Sequence, residues 1–249
     1  MISMLLLMGL AQAQSYVEKF SFSEFPDREY LADDPDWVNG YASDRWFSRP
    51  DYVYSLTDAN GGAWGSGGPR DNWLVRSDVE AEDMWMSAWM YTQDDDTMAI
   101  IFHQSDPASF YAVTAVGNNE SPGGSNPFGF SSRQVSLVKV DRGSVTVLDT
   151  STEAVPAEED IFVAAGFNDG EVWAKLWAGE DEDGDEPDPE SDDVREPDWS
   201  LSAVDSSPLS GGRVGYYAYD SGGTGPGGGG DGTLTVFGPM SVWQYDQDG

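Results

Sequence analysis

The chain has 249 residues, 39% apolar and 13% aromatic, and carries 12 Lys and Arg against 45 Asp and Glu for a net charge of −33. Such a polyanion repels nucleic acid and anionic membrane surfaces, which excludes both as direct partners. With no cysteine and one histidine, His103, disulfides, thiolate metal sites and His-cluster zinc or iron sites are excluded too; a resident metal must be oxygen-liganded, calcium before magnesium.

Ten Trp, eleven Tyr and eleven Phe supply enough bulk for one substantial core, and the length suits a single all-β domain with long polar loops. The acidic surface suits a salty or divalent-rich medium, where self-repulsion is screened within about 8 Å. Residues 1–10 form an apolar run followed by Ala11-Gln12-Ala13. The run is shorter than the roughly 20 residues a membrane helix needs. It matches a signal-peptide core, although no Lys or Arg precedes it. The expectation is a signal peptide at 1–13, a secreted or cell-surface location without membrane insertion, and one domain at 14–249.

Residues 15–27 alternate, with Val17, Phe20, Phe22 and Phe25 apolar, as an edge strand would. The segment 28–76 is rich in Asp, Gly, Ser and Pro, with one strand-like stretch at 51–57. Trp37, Trp46, Trp64 and Trp73 fall in it. Each reads either as packing over a sheet edge or as a stacking platform for sugar rings. Residues 80–116 read as three consecutive strands, 80–92, 97–104 and 109–116, joined by polar turns into a β-meander. The stretch 117–132 is a loop by composition, and its Asn119-Glu120-Ser121 has the form of a glycosylation acceptor.

Strands follow at 133–141, 143–150 and 160–167. Asp169-Gly170 then makes a hairpin into 171–178, where Val172, Ala174 and Leu176 face one way and Trp173, Lys175 and Trp177 the other. The insert at 180–198 holds twelve acids and one Arg; it reads as a solvated excursion between strands. Strands at 199–205 and 213–219, a Gly-rich loop at 220–232 and a strand at 233–243 complete the chain. No helical period occurs after residue 14, so the expectation is all-β with about eleven to thirteen strands.

The order of motifs carries a resemblance. Phe110-Tyr111 follows the Asp-rich turns, then come Ser136 to Val140 (SLVKV), Val172 to Leu176 (VWAKL) after Asp-Gly, Gly212 to Tyr217 (GRVGYY) and a closing strand. This resembles the concanavalin A-like lectin/glucanase superfamily, with laminin G-like, thrombospondin C-terminal-like and sugar-hydrolase-related domains nearest. The resemblance implies a jelly-roll β-sandwich of two antiparallel sheets with adjacent terminal strands, often stabilised by calcium. Its members include binding modules, adhesion domains and enzymes.

Three kinds of candidate site follow. For catalysis, Glu80 and Glu82 lie two apart, which on a strand puts both carboxylates on one face, and a glycosidase needs such a pair. The superfamily's glucanases carry Glu-x-Asp-x-x-Glu; here Glu82 takes the second place and Trp85 the third. His103 reads as a sheet histidine or as the base of a hydrolase or polysaccharide lyase. For ligand binding, Trp37, Trp46, Trp64 and Trp73 are the aromatic candidates. For calcium, Asp94, Asp95 and Asp96 form a carboxylate turn between strands. Asp181, Asp183 and Asp185 alternate in the insert without EF-hand spacing. The favoured function is a secreted or cell-surface module that recognises carbohydrate or matrix glycans, with calcium fixing its loops and a glycan or extracellular protein as partner. A glycoside hydrolase or polysaccharide lyase, and a purely structural extracellular domain, are the alternatives.

Overall fold

The computed structural model describes residues 14–20, 31, 34–40, 46–55, 72–92, 97–116, 128, 134–156, 159–179, 186–191, 194–219 and 235–245. The signal-like segment 1–13, Trp64, Asp94, Asp95, Asp96, Asn119, Asp181, Asp183, Asp185 and the whole Gly-rich loop at 220–232 lie outside the described residues.

The described residues form sixteen strands. They are β1 (Gln14–Phe20), β2 (Trp37–Asn39), β3 (Trp46–Ser48), β4 (Val53–Ser55), β5 (Trp73–Arg76), β6 (Met84–Thr92), β7 (Thr97–Asp106) and β8 (Ser109–Val116). The second half contributes β9 (Gln134–Asp141), β10 (Ser144–Ala154), β11 (Ile161–Asn168), β12 (Glu171–Ala178), β13 (Trp199–Val204), β14 (Arg213–Tyr219), β15 (Thr235–Phe237) and β16 (Met240–Tyr245). Three short strands, β2, β3 and β5, occupy the segment where only 51–57 looked strand-like. Runs of three or four residues are too short for an alternation to register. The closing strand is split in two at Gly238-Pro239, because proline cannot donate to a ladder.

Two antiparallel sheets result. One runs β13-β12-β11-β6-β15-β4-β3, with β16 pairing both β6 and β1; the other runs β10-β9-β8-β7-β14-β5-β2. The chain termini are adjacent, since β1 pairs β16 from Gln14↔Tyr245 to Phe20↔Met240. One expectation is corrected here: β6 does not continue into β7 as a meander. β6 belongs to the first sheet and β7 to the second, so the true meander is β7-β8-β9-β10. Strand order in sequence could not reveal this, because a polar turn serves a hairpin and a crossover between sheets equally well. The Asp-Gly hairpin between β11 and β12 forms as expected, with Asp169 at φ 45° and Gly170 at φ 82°, as the twist-matching two-residue turn requires.

The core lies between the sheets. From the first come Met84, Met86, Ala88 and Met90 of β6 with Val163 and Ala165 of β11; from the second, Ile100, Val113, Leu137 and Tyr216. Each is the every-second residue of its strand. The outer face of the second sheet is closed as well, with Trp73, Ile101, Ala112 and Tyr217 all buried. The outer face of the first sheet is different: it is aromatic and only partly covered.

Candidate functional site

Register alone lays out that face. Across β12, β11, β6 and β16, one row reads Trp173, Gly166, Trp85, Trp243 and the next Lys175, Ala164, Ser87, Ser241. The third row reads Trp177, Phe162, Trp89. Two aromatic rows therefore flank a middle row of small or polar side chains, which makes a trough across the strands. Trp85 and Trp243 stack at a centroid distance of 3.9 Å and 6°. Trp89, Trp173, Trp243 and Tyr245 are half-buried, while Trp85 and Trp177 are buried. Burial pushes the Tyr245 phenol up to about 12, so it stays a neutral hydroxyl at the trough's edge.

Two glycines seat the indoles. A Cβ on Gly238 would stand 1.8 Å from Trp89 Nε1, and one on Gly166 2.7 Å from the Trp173 ring. Each indole therefore lies directly against bare backbone at its glycine. Gly238 is itself held from inside, where the Tyr216 hydroxyl donates to its carbonyl oxygen at 2.7 Å and its own N–H donates to Trp89 O at 2.9 Å.

The described part of the acidic insert is an excursion between β12 and β13, mostly exposed, that also touches this trough. Within the described part, Pro187 is buried, and Ser87 Oγ donates to Glu190 Oε1 at 3.3 Å. Trp177 Nε1 donates to Arg195 O at 2.7 Å, and the Arg195 guanidinium donates to Ala178 O at 2.6 Å and pairs with Asp198 at 3.0 Å. Among the described residues of the insert, the prolines, Val194 and the one Arg make contacts with the sheet alongside Glu190 and Asp198. Pro189 divides the trough into a cavity of about 350 Å³ lined by Trp85, Trp173, Lys175 and Tyr245 and one of about 280 Å³ lined by Ser87, Trp89, Phe162 and Glu190.

The tryptophans singled out from the loop-rich segment sit elsewhere. Trp37, Trp46 and Trp73 are 4%, 0% and 3% exposed. Trp37 stacks on Tyr216 and lies under the Arg76 guanidinium at 5.1 Å, which Asp78 clasps from the other side. Trp46 packs on Phe237, and Trp73 belongs to the closed outer face of the second sheet. These three rings pack the sandwich and present no face for stacking. The aromatic residues that stay half-buried on the outer face, Trp89 and Trp173 with Trp243 and Tyr245, had a signal in the sequence. It is the two-residue period Trp85-x-Ser87-x-Trp89 and Trp173-x-Lys175-x-Trp177 on the face opposite the core residues.

The three catalytic candidates meet at one end of the sandwich. Glu80 and Glu82 precede β6 instead of lying on it, so the same-face argument does not apply, yet both are exposed and line one cavity. Glu82 also lines an adjoining cavity with His103 and Asp205. His103 stands at φ 52° on a bulge of β7, where pairing with β8 slips between Phe102 and Asp106. Its Nε2 lies 2.8 Å from Leu209 O, a donor to that carbonyl. Burial lowers its pKa, against the hydrogen bond to Leu209 and the nearby Asp83 and Glu82, so the imidazole is neutral near pH 7. The segment carrying Leu209 is anchored by Asp205, which accepts from Tyr111 and from Lys139 at 2.7 Å each. Burial raises the Asp205 pKa, but the hydrogen bonds from Lys139, Tyr111 and Ser207 outweigh it and hold the carboxyl below the usual range. Among the described residues, no three His, Asp or Glu side chains converge as a metal site.

No protein-family model matches the chain, and no curated protein matches it by sequence. Solved structures do match. The exoplasmic/lumenal domain of VIP36, in its Ca2+/Man3GlcNAc-bound form, superposes with a TM-score of 0.53 at 11% identity, covering 94% of this chain and 92% of that one. A prokaryotic β-1,3-1,4-glucanase (lichenase) from a mouse hindgut metagenome gives 0.53 at 10%, covering 92% and 99%. Peanut lectin gives 0.51 at 10%, covering 92% and 97%. With both sheets, the paired terminal strands and these likenesses in place, the chain has the jelly-roll fold of the concanavalin A-like lectins and glucanases.

Proposed function

We propose that this protein is a glycan-binding module of an exported or cell-surface protein, and that sugar rings seat in the aromatic trough of the first sheet. The observation that carries the reading is the pair of half-buried indoles, Trp89 and Trp173, laid on Gly238 and Gly166 beside a small polar row. A flat ring held rigidly by backbone offers its π-face to the C–H face of a sugar at little entropic cost, while Ser87, Lys175 and the Tyr245 hydroxyl supply hydrogen bonds. Cavities of about 350 and 280 Å³ are of the size for one or two sugar units each. Calcium enters as a stabiliser of the loops, with Asp94, Asp95 and Asp96 or Asp181, Asp183 and Asp185 as its oxygen ligands.

The test is glycan-array binding of the intact protein and of Trp89→Ala and Trp173→Ala, each with and without a chelator. Binding lost in either variant supports the trough, and binding lost with the chelator supports calcium. No binding by the wild-type protein in either state, or binding that both variants retain, would refute the reading. A hydrolase reading rests on Glu80 and Glu82 lining one cavity, and release of reducing ends from the bound glycans decides it.

A further inference from the structure

The larger cavity of the trough stands apart in charge. The chain carries 45 acids against 12 bases, and acids line three other cavities. Glu80 and Glu82 flank Arg213 in one of about 590 Å³, Glu82, Asp83, Asp169 and Asp205 line one of about 460 Å³, and Glu186, Asp188 and Glu190 line the one of about 280 Å³. The cavity of about 350 Å³ has no Asp or Glu in its lining among the described residues, and its one charged group is Lys175.

The fold leaves that charge unanswered. Arg76, Lys139, Arg142 and Arg195 each pair with an aspartate, whereas Lys175, which is exposed, has no carboxylate partner among the described residues. Its partners across the strands are Ala164 of β11 and Ser200 of β13, both uncharged. Its neighbours on the same face of β12 are Trp173 and Trp177. A second donor lines the cavity. The Trp173 side chain hydrogen-bonds the Tyr245 hydroxyl; an indole nitrogen can only donate, so the phenol proton is left for another acceptor.

Two donors, one of them cationic, with no acid beside them call for an acceptor that carries negative charge. A cation would be repelled by Lys175 and would meet no carboxylate in this lining. A sugar hydroxyl can accept from Lys175, but a carboxylate or sulfate oxygen makes a charge-assisted bond roughly twice as strong. Glu171 and Asp83 are felt at the Tyr245 hydroxyl but do not line the cavity. Acids farther off are screened within about 8 Å at physiological salt. Building on the reading of the trough as a sugar site, we infer that this cavity selects an acidic sugar, a ring with one negative group, carboxylate or sulfate ester, that pairs with Lys175.

The test titrates the full chain calorimetrically with disaccharides of glucose, galactose and mannose, each in a neutral form, a form with a carboxylate at C6 of one ring and a form with a sulfate ester there. At least one acidic form should bind about tenfold or more tightly than its neutral parent, and the tighter of the two acidic forms identifies the group. Lys175→Met keeps the stem and removes the charge, and it should bring that ratio to within about twofold. Lys175→Arg should keep the preference, and sodium chloride at about 1 M should shrink it in the wild-type protein. Absence of binding by every acidic form, a ratio that Lys175→Met preserves, or one that falls equally in Lys175→Arg and Lys175→Met would each overturn the inference. Neutral and acidic forms that bind alike, and are both lost in Trp173→Ala, would overturn it while leaving the trough as a sugar site. Absence of binding by every disaccharide and by every glycan on the array would overturn both.

Discussion

His103 shows how a single residue's role is set by its backbone. On a regular strand it would alternate with its neighbours, but at φ 52° it leaves the pleat, and its ring sits 4.2 Å from Phe167 while Nε2 reaches Leu209 O. Burial depresses its pKa from 6.5, so between the unfolded value and the lower folded value the unfolded chain binds more protons than the folded one. Stability is therefore complete above about pH 6.5 and falls as pH drops through the folded pKa. Melting temperatures measured from pH 7.5 downward should decline in this window. His103→Asn, which tolerates the left-handed conformation and does not titrate, should remove that component. Asp205 acts in the same direction lower down, and its contribution is lost as pH falls below the ordinary carboxyl range of about 3.9. Gly238 is the other single position with large leverage. Gly238→Ala places a methyl group on the Trp89 indole and should cost about 1–3 kcal/mol by chemical denaturation. If sugar seats on this ring as proposed, Gly238→Ala should weaken glycan binding just as Trp89→Ala should, even though the indole is still present.

At the scale of elements, the insert at 186–198 and the sheet beneath it form one unit. The described part of the insert has no strand of its own, and its place depends on Arg195, which reaches Ala178 O and Asp198, and on the indole of Trp177. Arg195→Ala should release this anchor. Each hydrogen bond lost contributes about 0.5–1.5 kcal/mol, so a modest fall in stability is expected. The sharper readout is acrylamide quenching of tryptophan fluorescence, which should rise as Trp177 and Trp85 gain access to solvent. Unchanged quenching would mean that the prolines alone hold the strap. The split between β15 and β16 is a second element-level device. Both strands follow one edge of β6, and the break at Gly238-Pro239 lets β15 pair on to β4 while β16 pairs on to β1.

For the whole molecule, the net charge of −33 opposes compaction, and screening relieves it. With a chelator present throughout, the melting temperature should rise as sodium chloride goes from low concentration to about 1 M, where the screening length falls to about 3 Å. A melting temperature insensitive to sodium chloride but raised by trace calcium would instead assign the stabilisation to specific metal sites.

Much of the fold was legible in the sequence because alternation is a local property. Twelve strand-like stretches, the Asp169-Gly170 hairpin and the absence of an α-helix among the described residues all follow from residues within a few positions of one another. The opposing faces of residues 171–178 were readable for the same reason, and Trp173, Lys175 and Trp177 point away from the core. Pairing is not local, so the assignment of β6 and β7 to different sheets came only with the folded chain. Exposure is not local either: Trp37, Trp46 and Trp73 read as packing or as stacking platforms and are packed inside, whereas the described part of the acidic insert, mostly exposed, still sets Pro187 and Val194 against the sheet. By itself the sequence determined the class of fold, the exclusion of thiolate and histidine-cluster metal sites and the acidic character. Only the tertiary structure decided which aromatic rings pack inside and which stay half-buried on the outer face of the first sheet, because that depends on what lies across the sheet from a residue.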